Sequence, residues 1–309
     1  MPATHDGLPL PRVHLRQVSL RFVLLGHPVA HSLSPAIHHA AYAALGLPHR
    51  YELFDAVDVK ALEAACAELR GGTIAGANVT IPWKREALKL ADRSDVSASD
   101  VGAANVLVRS PAGEIVAYNT DVPALARDIG EQVPTPGRGL VLGSGGAALA
   151  AVAALGRLGA KEIGVSARRF DAKVSRDAWP GAEDFARLGA TLVAWPDPHA
   201  NELGDFAVSA DVIIQATSAG MHGGGPGSSV SAVVPWARLG PQTLAYDLVY
   251  NPADTDFLRA ARARALPARG GLGMLVGQAA FAFTLWLGAE PDRRAMRRAA
   301  ETELARRSA

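Results

Sequence analysis

The sequence predicts a two-domain α/β protein whose second half is built on a doubly wound parallel sheet. Three observations carry that expectation. The chain has 309 residues, enough to bury two separate cores. Short apolar runs rich in Val, Ile and Leu alternate with helical patterns along most of it. The stretch "LVLGSGGAALAA" then joins a strand to a helix through closely spaced glycines, as a βαβ unit demands.

Composition narrows the function classes. Hydrophobic residues make up 49% of the chain and charged residues 20%, the balance of a soluble globular protein. With 31 basic and 30 acidic side chains the formal net charge is +1, which gives no electrostatic reason to expect nucleic acid or an anionic membrane as a partner. A small-molecule ligand is expected instead. The lone cysteine, Cys66, can form neither an internal disulfide nor a multi-cysteine metal site, which fits a reducing, cytoplasmic setting. In "ALEAACAELRG" it fills a helix face.

The elements follow in order. "MPATHDGLPLPRVHLRQVSL" reads as a loose leader, because prolines and charges interrupt any apolar signal-peptide core. A strand at Phe22 to Leu25 precedes a helix from Pro35, whose apolar face is Ile37, Ala41 and Leu45 and whose stop is Gly46. Ser34 before Pro35 reads as an N-cap. Ser32, one position further out, has no such explanation. A strand at Tyr51 to Phe54, a helix from Val59 to Leu69, "GANVTIP" and the helix "KREALKLAD" come next, and "ANVLVRSPAGEIVAYNTD" reads as a hairpin around a Pro-Ala-Gly turn.

The Pro- and Gly-rich "EQVPTPGRG", Glu131 to Gly139, reads as a linker before the second α/β series. Its strands are "LVLG", "EIGVSA", "ATLVAW", "ADVIIQATS" and "TLAYDLVY". "HGGGPGSS", ending at Ser229, reads as a flexible loop with no helix start directly behind it, and so as no phosphate cradle. Gly270 to Ala289 carries no charge and approaches the length of a bilayer span, but its glycines and Gln278 favour a helix buried between soluble domains. The Arg-rich tail "PDRRAMRRAAETELARRSA" reads as a solvated amphipathic helix.

Two features carry chemistry without further help. Gly143, Gly145 and Ala148 satisfy G-x-G-x-x-A between a strand and an alanine-rich helix, the turn with which a Rossmann-type domain brings backbone and helix N-terminus to a pyrophosphate. After the next strand, Arg168 and Arg169 stand where an acid would hold the ribose hydroxyls, so the cofactor expected is NADP and not NAD. His27, His31, His38 and His39 lack the spacing of a zinc site, and no metal is expected.

"HSLSP", "GANVTIPWK", "AYNTD", the dinucleotide turn, "DLVYNP" and "GLGMLVGQAAFAF" occur in that order, and with them the chain resembles the shikimate dehydrogenase family between Phe22 and Gly288. The resemblance implies reversible reduction of 3-dehydroshikimate to shikimate with NADP, in chorismate and aromatic amino-acid biosynthesis. It implies a substrate domain over 20–121 completed by C-terminal helices from 273–309, an NADP domain over 122–272, and a homodimer. Lys84 matches the catalytic lysine and Asp121 its carboxylate partner. Ser32 and Ser34 match the serines that bind the substrate carboxylate. Asn78, Thr80, Asn105 and Gln278 match positions at the ring hydroxyls, and Tyr250 matches the tyrosine near the carboxylate. Gly143, Gly145, Gly146, Ala147, Arg168, Arg169 and the backbone at Gly271 fall on cofactor positions.

The chemistry stands apart from the family name. Hydride arriving at a ketone builds charge on its oxygen, and a lysine can both stabilise that charge and deliver the proton. Two departures from the family pattern point at substrate identity: Val106 follows Asn105 where a threonine is usual, and Val122-Pro123-Ala124 replaces a glycine-rich turn. Both would narrow or reshape the pocket. Quinate or another cyclic hydroxy acid is therefore the rival substrate, and a non-catalytic metabolite sensor is the rival class. A sensor has no use for Lys84 with Asp121.

Overall fold

The computed structural model describes residues 18–196, 201–221 and 223–308. Most of the expected leader, and His222 of the glycine-rich loop, lie outside the described residues. The chain divides into two compact units, Met1–Thr120 with Gln278–Ala309, and Asp121–Gly277.

The first unit contains β1 (Arg21–Gly26), α1 (Ser34–Ala44), β2 (Arg50–Asp55), α2 (Val59–Gly71), β3 (Gly76–Val79), α3 (Lys84–Leu90), β4 (Arg93–Ser94), α4 (Val96–Val101), β5 (Val106–Arg109) and β6 (Ile115–Tyr118). Its sheet runs β2-β1-β3-β5-β6-β4. β1 pairs in parallel with β2 and β3, while the β5–β6 hairpin pairs antiparallel, so the sheet is mixed. Strand alternation sends Val23 and Leu25 to a core shared with Leu62, Cys66 and Leu69 of α2, which gives Cys66 its expected helix-face role. Asp58 caps α2 by accepting from Ala61 N at 2.8 Å, and Gly72 ends it at φ +83°.

The opposite face is aromatic. Phe22 stacks on Trp286 with ring centres 4.9 Å apart, and Tyr42, Tyr51 and His38 fill the same layer. This approach requires Gly76, because a Cβ there would come within 2.4 Å of Trp286 Nε1. Trp286 Nε1 donates to the Leu107 carbonyl at 3.2 Å and so finds its partner on the sheet.

The second unit contains α5 (Asp121–Gly130), β7 (Arg138–Leu142), α6 (Gly146–Arg157), β8 (Glu162–Ser166), α7 (Ala182–Arg187), β9 (Thr191–Val193), α8 (Glu202–Ala207), β10 (Val212–Gln215), α9 (Ser228–Ser231), β11 (Leu244–Asp247), α10 (Asp256–Arg262) and β12 (Ala268–Gly270). The order β12-β11-β10-β7-β8-β9, parallel throughout, is doubly wound. Strands buried on both faces explain runs such as "VIIQ", in which every residue is buried. The chain winds outward from β7 in one direction and then returns to β10 on its other side, so the carboxyl ends of β7 and β10 form the switch point at which such sheets bind ligands.

The Pro- and Gly-rich segment after Gly130 connects α5 to β7 inside this unit. The glycine-rich loop departs from its expectation, since the one-turn α9 starts at Ser228 directly behind it. α11 (Leu272–Leu287) begins in the second unit and from Gln278 belongs to the first, where α12 (Arg293–Ser308) packs on α1. Among the described residues no helix is long and apolar enough to cross a membrane.

Candidate active site

The serine turn differs from the sequence expectation in an instructive way. Ser34 is not the N-cap but the first residue of α1; Leu33 precedes it and provides no side-chain cap. Ser32, which capping left unexplained, does the capping work instead: its Oγ accepts the Ser34 N–H at 3.1 Å and donates to Ser34 Oγ at 3.1 Å. This side-chain turn forms because a hydroxyl can satisfy an amide two residues on, leaving Pro35 free to hold the first helical turn. Two hydroxyls and the positive end of an eleven-residue helix thus converge.

A buried polar chain runs beside it. Tyr51 OH donates to Asn78 Oδ1 at 2.8 Å, and Asn78 Nδ2 donates to the Asn105 carbonyl at 3.3 Å. Asn105 in turn accepts the Thr120 N–H on Oδ1 at 2.7 Å and donates to Thr120 Oγ1 at 3.1 Å. Asn78 and Asn105 are both nearly inaccessible, so each bond replaces one that water would otherwise make. Burial pushes the Tyr51 phenol far above its ordinary value, against a hydrogen bond from Ser34, so it acts only as a neutral donor. His38 stacks on Tyr51 with ring centres 4.2 Å apart, and burial pushes it down to about 3 against a hydrogen bond with Asn78. It is neutral and works as a flat packing surface.

Lys84 opens α3 behind the fixed turn "TIPW", where Trp83 Nε1 donates to the Ala56 carbonyl at 2.7 Å. The Lys84 carbonyl accepts from Ala104 N at 2.8 Å. Thr120, the last residue of this stretch of the first unit, is held by Asn105 next to Ala104. Thr80 is half-buried just after β3, and Asp121, buried, opens α5. Gln278 is half-buried in α11, and Tyr250 half-buried after β11.

In the second unit the turn after β7 fits a dinucleotide. Gly143 sits at φ +135°, and a Cβ there would come within 2.8 Å of the Ala216 carbonyl at the end of β10. Only glycine closes this switch point. Gly145 and Gly146, by contrast, face open space, with no atom within 4 Å of a Cβ built on either. Together with exposed Ala147 they leave the N-terminus of α6, twelve residues long, open to a pyrophosphate.

Arg168 and Arg169 are both exposed at the end of β8. They are not equivalent: Arg169 donates to the Ser144 carbonyl and braces the turn, which leaves Arg168 the better placed of the two for a 2′-phosphate. Gly271 is buried, its N–H on the Val249 carbonyl at 3.2 Å.

Several contributors escape a reading of motifs. Tyr51 and His38 are ordinary core residues in sequence, and only their position under Asn78 and Ser34 gives them a part. Asp247, fully buried, accepts from Thr255 Oγ1 at 2.6 Å and from Val249 N at 2.9 Å, fixing the turn that carries Tyr250; burial raises its carboxyl to about 6. "DLVYNPADT" contains both partners and was the available signal. Val106, expected to reshape the pocket, is completely buried in β5 opposite Asn78 and Tyr118, so that departure lies in the sheet core. Of the four histidines, His27 is exposed and hydrogen-bonds Asp55 at 2.8 Å, and His39 accepts from Tyr51 N. Among the described residues no group of three or more His, Cys, Asp or Glu could hold a metal ion.

Comparison with known proteins covers both units. Residues 24–107 match the shikimate dehydrogenase substrate binding domain, and residues 271–301 match the shikimate 5′-dehydrogenase C-terminal domain. The NADP-dependent shikimate dehydrogenase of Geobacillus kaustophilus is 36% identical over 272 residues, covering 87% of this chain and 93% of its own. The shikimate 5-dehydrogenase of Thermus thermophilus, solved with NADP(H) and shikimate, superposes with a TM-score of 0.76 at 35% identity, covering 92% of this chain and 99% of its own. A quinate dehydrogenase of Corynebacterium glutamicum, solved with NAD, gives 0.78 at 28% identity over 92% of this chain and 99% of its own. Similarity at this level, sustained over most of the chain, establishes that the chain belongs to the shikimate dehydrogenase family.

Proposed function

We propose that this protein catalyses the reversible, NADP-dependent reduction of 3-dehydroshikimate to shikimate. The observation that carries the reading is the Ser32–Ser34 hydroxyl pair at the start of α1, inside the segment that matches a substrate binding domain. Two donors at a helix N-terminus suit a carboxylate. Residues 20–121 and 273–309 are assigned to the substrate, residues 122–272 to the cofactor.

The glycine turn after β7 would hold NADPH, which would supply the hydride. Lys84 stabilises the charge that develops on the ketone oxygen and gives it a proton; in the reverse direction it accepts the hydroxyl proton. Asp121 is its carboxylate partner. Asn78, Thr80, Asn105 and Gln278 orient the ring hydroxyls, and Tyr250 lies by the carboxylate. Gly143, Gly145, Gly146, Ala147 and Gly271 offer backbone to the dinucleotide, Arg168 takes the 2′-phosphate, and Arg169 holds the turn that presents it.

The deciding experiment follows NADPH formation by purified protein with shikimate and then quinate. Turnover of shikimate with NADP+ in preference to NAD+ is expected. Turnover of neither acid, with binding retained, overturns the assignment in favour of a sensor. The reading also places the protein in the cytoplasm as a homodimer, on the family resemblance and the single buried Cys66. Light scattering on a sizing column checks the dimer.

A further inference from the structure

The C-terminal helix contributes more than a solvated face. α12 buries Met296 and Ala300 completely, and its last turn carries Arg307 back to the serine turn of the same unit. Arg307 Nη1 donates to the His31 carbonyl at 2.6 Å and Nη2 donates to the Ser32 carbonyl at 3.1 Å. Its third edge is used as well: Nε donates to Glu303 Oε1 at 2.7 Å. Glu303 also accepts from Arg306, and the two guanidinium groups hold its carboxyl down to about 2, so it stays ionised and keeps the fork oriented.

We propose that Arg307 is a positioning residue for substrate binding: its guanidinium fork fixes both peptide planes around Ser32 and thereby aims the Ser32 and Ser34 hydroxyls at an incoming carboxylate. The two carbonyls it holds belong to the peptide groups on either side of Ser32, so its φ and ψ are set together. With the backbone fixed, the one χ1 rotamer that brings Ser32 Oγ to Ser34 N and Ser34 Oγ keeps both bonds, and these bonds favour it over the other two. Lysine cannot reproduce this, since a single ammonium does not present a planar fork to two adjacent carbonyls and a carboxylate at once.

The proposal rests on the reading of Ser32 and Ser34 as carboxylate ligands, and the test separates the two. Wild type, Arg307→Ala, Arg307→Lys, Ser32→Ala and the Ser32→Ala/Arg307→Ala double variant are compared with shikimate and NADP+. Arg307→Ala should raise the shikimate KM about tenfold, as loss of a charge-assisted contact does, with kcat within about twofold and NADP+ affinity unchanged. Arg307→Lys should recover little of the loss. The double variant should be no worse than Ser32→Ala alone, because both changes act through one turn.

An unchanged KM in Arg307→Ala, or fully additive losses in the double variant, overturns the proposal. So does a parallel loss of kcat, NADP+ affinity and melting temperature, which would mark a general weakening of the fold. Amide exchange at Ser34, read without substrate, gives an answer even if shikimate proves not to be the substrate. Faster exchange there in Arg307→Ala, with the rest of α1 unchanged, supports the positioning role; unchanged exchange refutes it.

Discussion

Each unit opens a helix N-terminus at its candidate site, but the two build the surroundings from different materials. In the first unit the site consists of side chains that hold one another: Ser32 holds Ser34, Tyr51 holds Asn78, and Asn78 and Asn105 carry the chain of bonds to Thr120. In the second unit it consists of backbone left bare, with Gly145 and Gly146 facing open space and two arginines at the rim. A small, stereochemically defined ring acid needs fixed donors at several points, whereas a pyrophosphate needs close approach and a field. The contrast predicts that substitutions in the two units will move different kinetic constants.

The largest separation should come from Lys84→Ala. Loss of a proton donor is expected to lower kcat by about 10²–10⁴ while the dissociation constant of shikimate changes little. Unimpaired turnover in that variant would remove Lys84 from the chemistry and break the side-chain account of the first unit.

Protonation should divide the units next. His38 has a folded-state value of about 3, below the 6.5 of an unfolded histidine, so its contribution to stability is fully present above 6.5 and is lost as pH falls through that range. Asp247 works in the other sense: at about 6 when folded against 3.8 unfolded, it favours the fold below 3.8, and that contribution is lost as pH rises through 6. From pH 7 to pH 5 the first group should cost the first unit about 2 kcal/mol and the second should stabilise the second unit by about 1 kcal/mol. Amide exchange measured separately in β1–β3 and β10–β11 checks both signs. His38→Phe, which keeps the stacking, should flatten the slope in the first unit alone.

Arg168→Asp should weaken NADP+ by about 10- to 100-fold and NAD+ far less, leaving the shikimate KM nearly unchanged. Equal losses for both cofactors would show that the arginine is not reading the 2′-phosphate. The smallest effect belongs to Tyr51→Phe, which keeps the packing and removes one donor to Asn78. A rise of roughly fivefold in the shikimate KM is expected, with cofactor binding untouched. Titration calorimetry with each ligand in turn resolves that difference.

Much of this architecture is legible in the order of residues. The apolar run of "RFVLLG", the continuous apolar runs of the second sheet and the glycines after β7 announce two α/β units, because strands buried on both faces leave unbroken apolar stretches in sequence. Local chemistry was harder to read where two structures can use the same residues. Ser34-Pro35 looks like a cap followed by its helix, yet Ser32 takes the capping bond, since a hydroxyl two positions upstream satisfies the same amide. The short β4 and β12 carry too few residues for any period to appear.

By itself, then, the sequence determined the fold class and the glycine turn after β7, because each depends on periodicity or on chemistry within a few neighbours. Only the tertiary structure decided that Tyr51 serves Asn78, that Arg169 braces Ser144 while Arg168 stays exposed at the end of β8, and that Arg307 grips His31 and Ser32. Arg307 and the serine turn stand 275 residues or more apart. No local propensity encodes such a contact; it exists because α12 buries Met296 and Ala300 as it packs along α1, and the last turn of the helix then ends where the turn begins.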